Sequence, residues 1–412
     1  MKLKNLLSIC LILTFCGGLR AQNIDEELTY WINSGDYLQL KRRYQEEKTN
    51  IQSKTVKLMA EAFICTAFNK PADALKALNE LITQHQEALG INGITTCVNL
   101  MAENLRYQGK YFTAADILTS YIKQTDTFNG LDEAIRTNLL SQCALAAFGD
   151  EMKPEIIRPV ETCEVPIVDN PGAPRHALYI NVELNGNTVP FLFDTGCEGY
   201  ATNMVTEKFA RDNGIRILND SVTVHGINAE TVRMGIAEKM TIGSITYRNV
   251  AFIVSPGNNL LSTDTLQLDA VLGTTFMKAM KECRIYPKEK KITFPYYPSA
   301  LPATGSNMML KGGQPYLEAF SNEERLLMHF DTGGNTNLSG KYFREHQEEV
   351  ETEGVLRVIR NFTIQAGGST KTLPQTNVYT ETGEYDGLLG TDFIQLFDKV
   401  TINFDGMFVK FE

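Results

Sequence analysis

Two copies of the tripeptide Asp-Thr-Gly are the part of the sequence best suited to chemistry: Asp194-Thr195-Gly196 and Asp331-Thr332-Gly333. Each aspartate directly follows an apolar, strand-like run, residues 191–193 in the first copy and 327–330 in the second. The glycine lets the chain turn tightly just after it. Two carboxylates about 3 Å apart cannot both ionise, so such a pair shares one proton and can act as acid and base together.

The surroundings of the tripeptide also occur twice, and this repetition carries more information than either copy alone. Each tripeptide is followed later by an aspartate and a hydrophobic-hydrophobic-Gly element, at residues 269–273 and 386–390. A helix-like segment with Phe276 or Phe393 comes next, and paired strands at 284–294 or 400–411 close each copy. A single Asp-Thr-Gly would occur by chance in about one chain in ten of this length.

With this repeated order, residues 165–412 resemble the retropepsin-like and pepsin-like aspartic peptidases. The resemblance implies two β-lobes whose Asp-Thr-Gly loops meet at a pseudo-twofold axis, with the hydrophobic-hydrophobic-Gly elements packed behind them. Retroviral members pair two identical lobes, whereas pepsin-like members hold both lobes in one chain. This chain has both lobes, so one copy could supply a complete dyad. It is also similar to bacterial exported proteins that join helical repeats to such a domain.

The resemblance implies that Asp194 and Asp331 are the catalytic residues. The ionised member takes a proton from a water that attacks a peptide carbonyl, and the protonated member then protonates the oxyanion. Thr195 and Thr332 are expected to orient the loops by cross-hydrogen-bonding, with Gly196 and Gly333 beside them. The family mechanism needs no metal, no cofactor and no covalent intermediate. The pKa values belong to the dyad as a whole.

Two residues depart from the family pattern. Cys197 and Gly334 stand where pepsin-like enzymes usually carry Ser or Thr, whose hydroxyl favours the ionised carboxylate. Without that donor we expect higher pKa values for the dyad and activity at milder pH than in a gastric-type enzyme. A pH–rate profile that peaks below about pH 3 would contradict this expectation. The alternative interpretation is a decayed site.

The two copies differ in length. From the tripeptide aspartate to the later aspartate there are 75 residues in the first copy and 55 in the second, since 269 − 194 = 75 and 386 − 331 = 55. Residues 222–234 predict a flap hairpin, whereas 352–359 leave little room for one in the second lobe, so a single flap is expected. The flap tip, expected near the substrate backbone unless this is an ordinary surface hairpin, is Gly226, Ile227 and Asn228.

Three further residues near these motifs are given non-catalytic interpretations. His225 is expected at the base of the flap. His329 lies two residues before Asp331, on the same face of the strand, and is expected to pack beneath the loop. Cys197 is interpreted as a plain buried thiol, although its place beside the cleft would also allow oxidation.

The first third of the sequence predicts helices. Apolar residues recur at three and four positions over residues 24–150, and the turn residues Asn69, Gly109 and Gly149 recur at a step of 40. This pattern resembles tetratricopeptide-type helical hairpins, with a generic antiparallel bundle as the alternative. The predicted fold is therefore multidomain: N-terminal α-helical hairpin repeats followed by a bilobal all-β aspartic-peptidase fold.

The predicted boundaries start with a signal peptide at residues 1–21, since Lys2 and Lys4 precede a short apolar run and small residues. Export to the periplasm or secretion is expected; lipid anchoring through Cys16 is disfavoured by Phe15. No later stretch is long and apolar enough to span a membrane. The other predicted regions are a helical domain at 22–152, a linker or leading edge strand at 153–174, and peptidase lobes at 175–300 and 301–412.

Composition excludes several classes of function. The formal charge of −10, which becomes about −13 once Lys2, Lys4 and Arg20 are removed, disfavours nucleic-acid binding. The six cysteines after residue 21 permit disulfides but form no zinc-type spacing. The five histidines lie in none of the usual metalloprotease or serine-hydrolase motifs.

The leading function hypothesis is an exported aspartic endopeptidase that acts on peptides or proteins. The alternative is a catalytically inactive, peptidase-like module that holds an extended peptide while the helical repeats bind a protein partner. A third hypothesis makes the helical region a pro-segment that is removed before activity appears.

Overall fold

The computed structural model describes residues 21–128, 130–148, 155–170, 177–197, 203–225, 229–261, 266–381 and 383–412. Over these residues the architecture is a helical N-terminal region followed by an all-β region. The helices between residues 21 and 146 fall in one compact unit, and most of the β region falls in another. The predicted fold class is thereby confirmed. Among the described helices, none combines the length and the apolar character needed to cross a membrane.

Seven helices form the N-terminal region within the described residues. Consecutive helices pack on one another, and their apolar faces form two core clusters, one that includes Leu28, Leu40 and Leu78 and another that includes Leu118. Their bounds are α1 Ala21–Ser34, α2 Tyr37–Glu47, α3 Lys54–Ala67, α4 Pro71–Gln84, α5 Gln86–Tyr107, α6 Tyr111–Asp126 and α7 Glu133–Ala146.

The turns between helices agree with the predicted 40-residue step. Asn69 and Gly109 both have positive φ, 54° and 70°, which ends α3 and α5 in the left-handed conformation. The next residue donates its N–H to a carbonyl five residues earlier in both copies, Lys70 to Cys65 at 2.8 Å and Lys110 to Leu105 at 2.9 Å. Membership in the tetratricopeptide class stays a prediction, and Gly149 lies outside the described residues.

The first lobe alternates strands with two short helices. The Asn185-Gly186 turn joins β3 to β4, as the sequence predicts. The lobe's elements are β1 Glu155–Ile157, β2 Cys163–Val168, β3 Tyr179–Leu184, β4 Asn187–Phe193, β5 Met204–Thr206, α8 Glu207–Asp212, β6 Arg216–His225, β7 Ala229–Ile242, β8 Ile245–Ser255, β9 Ala270–Leu272, α9 Thr274–Met280, β10 Glu282–Tyr286 and β11 Lys291–Phe294.

The second lobe follows the same order of elements, although β16 has 3 residues where β6 has 10. Its elements are β12 Met308–Lys311, β13 Gln314–Ser321, β14 Glu324–Phe330, β15 Asn337–Leu338, α10 Gly340–Glu345, a 3₁₀ turn at Gln347–Glu349, β16 Glu351–Glu353, β17 Leu356–Ala366, β18 Ser369–Val378, β19 Gly387–Leu389, α11 Thr391–Ile394, β20 Val400–Asn403 and β21 Phe408–Phe411.

The two lobes share one strand order. The first runs β3-β4-β9-β5-β8-β7-β6 and the second β13-β14-β19-β15-β18-β17-β16. The one parallel partner of the Asp-bearing strand also matches, β4 with β9 and β14 with β19. The duplicated sequence order therefore corresponds to a duplicated fold.

One antiparallel sheet joins the lobes, with the strand order β21-β20-β10-β11-β2. At its centre β10 of the first lobe pairs with β20 of the second. The fully buried carboxylate of Glu282 stabilises this junction, since it accepts from the Ser299 N–H at 2.7 Å and the Asn403 amide at 2.6 Å. The lobes are thus tied together behind the two Asp-Thr-Gly loops.

Two regions differ from the sequence prediction. Residues 153–174, interpreted as a linker or a leading edge strand, contain two strands, β1 and β2, and β2 lies inside the sheet between β11 and β3 instead of at an edge. The prolines there do not prevent pairing, and Pro166 pairs with Lys291. The second lobe also has a hairpin where little room was expected, because β16 and β17 turn tightly at Gly354, whose φ is +63°.

Candidate active site

Each Asp-Thr-Gly loop begins where a buried strand ends. Asp194 follows β4, and its N–H donates to the Leu272 carbonyl of β9 at 3.0 Å. Asp331 follows β14, and its N–H donates to the Leu389 carbonyl of β19 at 3.1 Å. The hydrophobic-hydrophobic-Gly elements seen in the sequence therefore lie beside the loops and hold their first residues in equivalent positions.

Two threonines lock the loops against each other. The Thr195 N–H donates to Thr332 Oγ1 and the Thr332 N–H donates to Thr195 Oγ1, both at 2.9 Å. Each hydroxyl then donates across the interface, Thr195 to the Phe330 carbonyl and Thr332 to the Phe193 carbonyl, both at 2.7 Å. Both threonines are fully buried, so the four hydrogen bonds are shielded from water.

The glycines of the tripeptides bring the carboxyl groups together. A Cβ added to Gly196 would lie 2.6 Å from Asp331 Cγ, and one added to Gly333 would lie 2.5 Å from Asp194 Cγ. Any larger residue at either position would therefore collide with the opposite carboxyl group. Each glycine N–H donates at 2.7 Å to Oδ1 of the aspartate two residues before it.

Burial and proximity perturb this pair of carboxyl groups. Burial, the charge of Asp331 and a hydrogen bond with Asp331 raise the pKa of Asp194 well above its ordinary value. The backbone N–H groups of Gly196 and Cys197 partly oppose this rise in the pKa. One proton shared between two facing carboxyl groups is the arrangement that lets one act as base and the other as acid.

Cys197 and Gly334, the residues that follow the two tripeptides, occupy equivalent positions in their lobes. The Cys197 carbonyl accepts from the Thr274 N–H at 3.2 Å, and the Gly334 carbonyl accepts from the Thr391 N–H at 2.9 Å. A Cβ at Gly334 would lie 3.1 Å from Asp331 Oδ2, which is where a serine or threonine hydroxyl would reach the carboxylate. Gly334 has no side chain to supply such a donor.

His329 lies beneath the second loop and is buried. Its ring stacks on Tyr316 at 5.1 Å and meets the edge of Tyr385 at 5.9 Å. Its Nε2 is enclosed without a hydrogen-bond partner among the described residues. Burial lowers the pKa of His329, and the charge of Asp331 opposes that shift. A buried histidine in an aromatic stack is the packing role expected from the sequence.

Two contacts at the site were not expected from the sequence. Asp386, which belongs to the repeated motif, is buried and accepts from the Leu327 N–H at 2.7 Å and from Lys341 Nζ at 2.7 Å. The first lobe cannot reproduce the contact with the Leu327 N–H, since Pro190 stands at the position of Leu327 and has no N–H. The other contact involves Gln314, whose amide donates to the Gly196 carbonyl at 3.0 Å. No local sequence pattern indicates these contacts, because each joins residues far apart in the chain.

The predicted flap residues Gly226, Ile227 and Asn228 lie outside the described residues, and their role stays a prediction. In the second lobe the short β16–β17 hairpin occupies the corresponding place in the strand order. Its tip is Val355, which is 95% exposed. The expectation that the second lobe has little room for a hairpin is therefore wrong, because a three-residue strand and a tight turn suffice to form one.

A metal-type cluster occurs elsewhere in the second lobe. Within the described part of the chain, Glu324, Glu345 and His346 could offer ligand atoms that lie within 4.8 Å of one another. The cluster contains neither dyad aspartate. The six described cysteines, at 65, 97, 143, 163, 197 and 283, form no disulfide bond.

Comparison with known proteins agrees with this geometry. Residues 180–276 match the family model described as aspartyl protease. The match begins in β3 and ends in α9, so it contains Asp194 and its hydrophobic-hydrophobic-Gly element. No curated protein matches the chain.

Solved structures of low sequence identity are also similar to the chain. Basic 7S globulin from soybean has a TM-score of 0.40 and 9% identity, over 62% of this chain and 97% of the globulin. Conglutin gamma, a basic 7S globulin from lupine seeds, has a TM-score of 0.36 and 8% identity, over 60% and 93%. The protein edgp has a TM-score of 0.38 and 10% identity, over 61% and 95%.

Proposed function

We propose that this chain is an exported aspartic endopeptidase in which Asp194 and Asp331 activate a water that cleaves a peptide bond. The observation that carries the proposal is the pair of facing carboxyl groups. Each lies close enough to the opposite tripeptide glycine that a single added carbon would collide with it, 2.5 Å in one case and 2.6 Å in the other. The match of residues 180–276 to an aspartyl protease family model supports the same conclusion.

The proposed chemistry uses one proton shared by two carboxyl groups. The ionised carboxylate accepts a proton from a water while that water attacks the peptide carbonyl. The protonated carboxyl group donates a hydrogen bond to the developing oxyanion and then transfers its proton. The hydrogen bonds between Thr195 and Thr332 keep the two carboxyl groups in place, so the loops need not reorganise during the reaction.

The dyad lacks the extra hydroxyl donors at Cys197 and Gly334, and this affects the working pH. Hydrogen-bond donors to the ionised form lower the pKa of a carboxyl group. With fewer such donors, the pKa of Asp194, which burial and the charge of Asp331 raise, is lowered less. We therefore expect the acid limb of the activity profile to lie at milder pH than in an enzyme with a serine or threonine at those positions.

The test is cleavage of a peptide library by the full chain and by Asp194→Asn and Asp331→Asn variants, with pepstatin as a probe. The wild type is expected to cleave, and each substitution is expected to lower kcat/KM by at least about a thousandfold. Asp398→Asn is the matched control, because Asp398 is exposed and pairs with Lys288. Cleavage that survives both dyad substitutions would disprove the assignment.

A chain that cleaves nothing at any pH, with or without residues 22–160, would favour the peptide-binding module instead. Activity that appears only after residues 22–160 are removed would favour the pro-segment hypothesis. A protein partner bound by the helical region and export through residues 1–21 remain parts of the proposal that this assay does not address.

A further inference from the structure

A side-chain amide of the second lobe reaches the Asp194 loop of the first. Gln314, the first residue of β13, is half-buried and donates from Nε2 to the Gly196 carbonyl at 3.0 Å. Its own Oε1 accepts from the Tyr316 hydroxyl at 3.3 Å. Because the amide is held at both ends, its orientation is fixed relative to the loop.

The carbonyl that Gln314 contacts belongs to the peptide that faces Asp194. The Gly196 carbonyl and the Cys197 N–H are the two ends of one planar peptide, and in the trans form they point in opposite directions. The backbone N–H of Cys197 is, with that of Gly196, one of the two groups that favour the ionised form of Asp194 and lower its pKa. A donor that holds the carbonyl therefore also fixes the direction of the N–H, and it polarises that N–H so that the second hydrogen bond is stronger.

We propose that Gln314 is a positioning residue that holds the Gly196–Cys197 peptide with its N–H directed at Asp194. The proposal rests on the proposed function, since the peptide it orients is part of the candidate active site. It gives the dyad a substitute for the hydroxyl donor that position 197 lacks. Gln314 acts through the backbone and is not itself placed on the reacting atoms.

The contact between the Gln314 amide and the opposite loop occurs on one side of the pseudo-twofold axis. The strand pairing of Tyr316 with His329 in the second lobe matches that of Tyr179 with Leu192 in the first. By this register the position of Gln314 corresponds to Ala177, which has no donor. The two aspartates are therefore inequivalent: the Asp194 loop is held by the opposite lobe through a side-chain amide, and no matching amide stands at the corresponding position for Asp331.

Three other titratable side chains lie near the dyad. Burial raises the pKa of the Tyr179 phenol, and the charges of Asp269 and Asp194 add to that rise. Near Asp331, burial lowers the pKa of His329 and raises that of Tyr385.

The test compares Gln314→Met with wild type in the full chain, using a peptide that the wild type cleaves. Methionine keeps the length of the side chain and removes the donor. We expect the alkaline limb of kcat/KM, where the proton-holding Asp194 ionises, to move up by about 0.5–1 pH unit, the consequence of weakening one hydrogen bond to a carboxylate. kcat is expected to fall several-fold while KM stays within about twofold. Gln365→Met, at an exposed position of β17, is the matched control and is expected to leave the profile unchanged.

Tyr316→Phe is the second variant in case Gln314→Met folds poorly. It keeps the ring stacked on His329 and removes only the hydroxyl that orients the Gln314 amide. A smaller shift in the same direction is expected. If both variants fold and their pH profiles superimpose on that of the wild type, or if only KM or stability changes, the proposal is overturned.

A readout without substrate separates this proposal from the proposed function. The carboxyl carbons of Asp residues labelled with ¹³C can be titrated by NMR, with Asp194→Asn identifying the Asp194 signal. Gln314→Met is expected to move the Asp194 titration to higher pH whether or not any peptide is cleaved. An Asp194 titration that is identical in both proteins would overturn the positioning role, whereas absent cleavage with a shifted titration would overturn only the proposed function.

Discussion

Replacing Thr332 with valine tests the lock between the two loops without depending on any substrate. Valine matches threonine in shape but lacks the hydroxyl, which accepts from the Thr195 N–H at 2.9 Å and donates to the Phe193 carbonyl at 2.7 Å. Both threonines are fully buried, so water cannot replace either partner. At about 1–3 kcal/mol for each buried group left without its partner, the expected loss is about 2–6 kcal/mol of unfolding free energy.

The assay is urea unfolding of wild type, Thr332→Val and Thr332→Ser, followed by fluorescence and circular dichroism. Serine keeps the hydroxyl and removes one methyl group, so its cost is expected to be about 1 kcal/mol. Valine is also expected to abolish most peptide cleavage, since the carboxyl groups lose their fixed separation. A valine variant no less stable than the serine variant would refute the idea that these hydrogen bonds hold the loops together.

Two further outcomes are expected. Gly334→Ser adds a hydroxyl beside Asp331 Oδ2, which lies 3.1 Å from the position of the new Cβ. This variant should move the acid limb of kcat/KM down by about one pH unit. Gly334→Ala adds the same carbon without the hydroxyl and should leave the acid limb in place, so an equal shift in both variants would contradict the reasoning. The raised pKa of Asp194 contributes stability that is complete below its unfolded value of about 4 and is lost as the pH rises through the folded value. Asp194→Asn should therefore gain unfolding free energy relative to wild type as the pH rises above about 4, and a pH-independent difference in urea unfolding would show that Asp194 does not titrate as described.

Local patterns in the sequence were sufficient for the architecture. The alternation of apolar residues and the Asn185-Gly186 turn predict the β3–β4 hairpin, because a two-residue turn of this type sets its own register. Residues 284–294 and 400–411 were expected to form paired closing strands, and β10–β11 and β20–β21 pair accordingly. The spacing of Asn69 and Gly109 likewise predicts helix ends that the structure shows with positive φ.

Predictions that depended on the pairing of distant segments were less successful. Proline-rich residues 153–174 suggested a linker or a leading edge strand, yet β2 is paired on both sides, which depends on the edges that β3 and β11 offer. The short distance between the second tripeptide and Asp386 suggested no room for a hairpin in the second lobe. The three-residue strand β16 nevertheless forms a hairpin with β17, because β17 is also paired with β18 and β13.

The sequence by itself determined that two Asp-Thr-Gly loops occur in one chain, each with its hydrophobic-hydrophobic-Gly partner, since these are local patterns of residue type and spacing. Only the tertiary structure decided how the loops meet: which hydroxyl bonds which carbonyl, why each glycine is required, and that Gln314 crosses from one lobe to the other. Contacts between residues 118 or 137 positions apart arise from the packing of two lobes, and no local pattern encodes them.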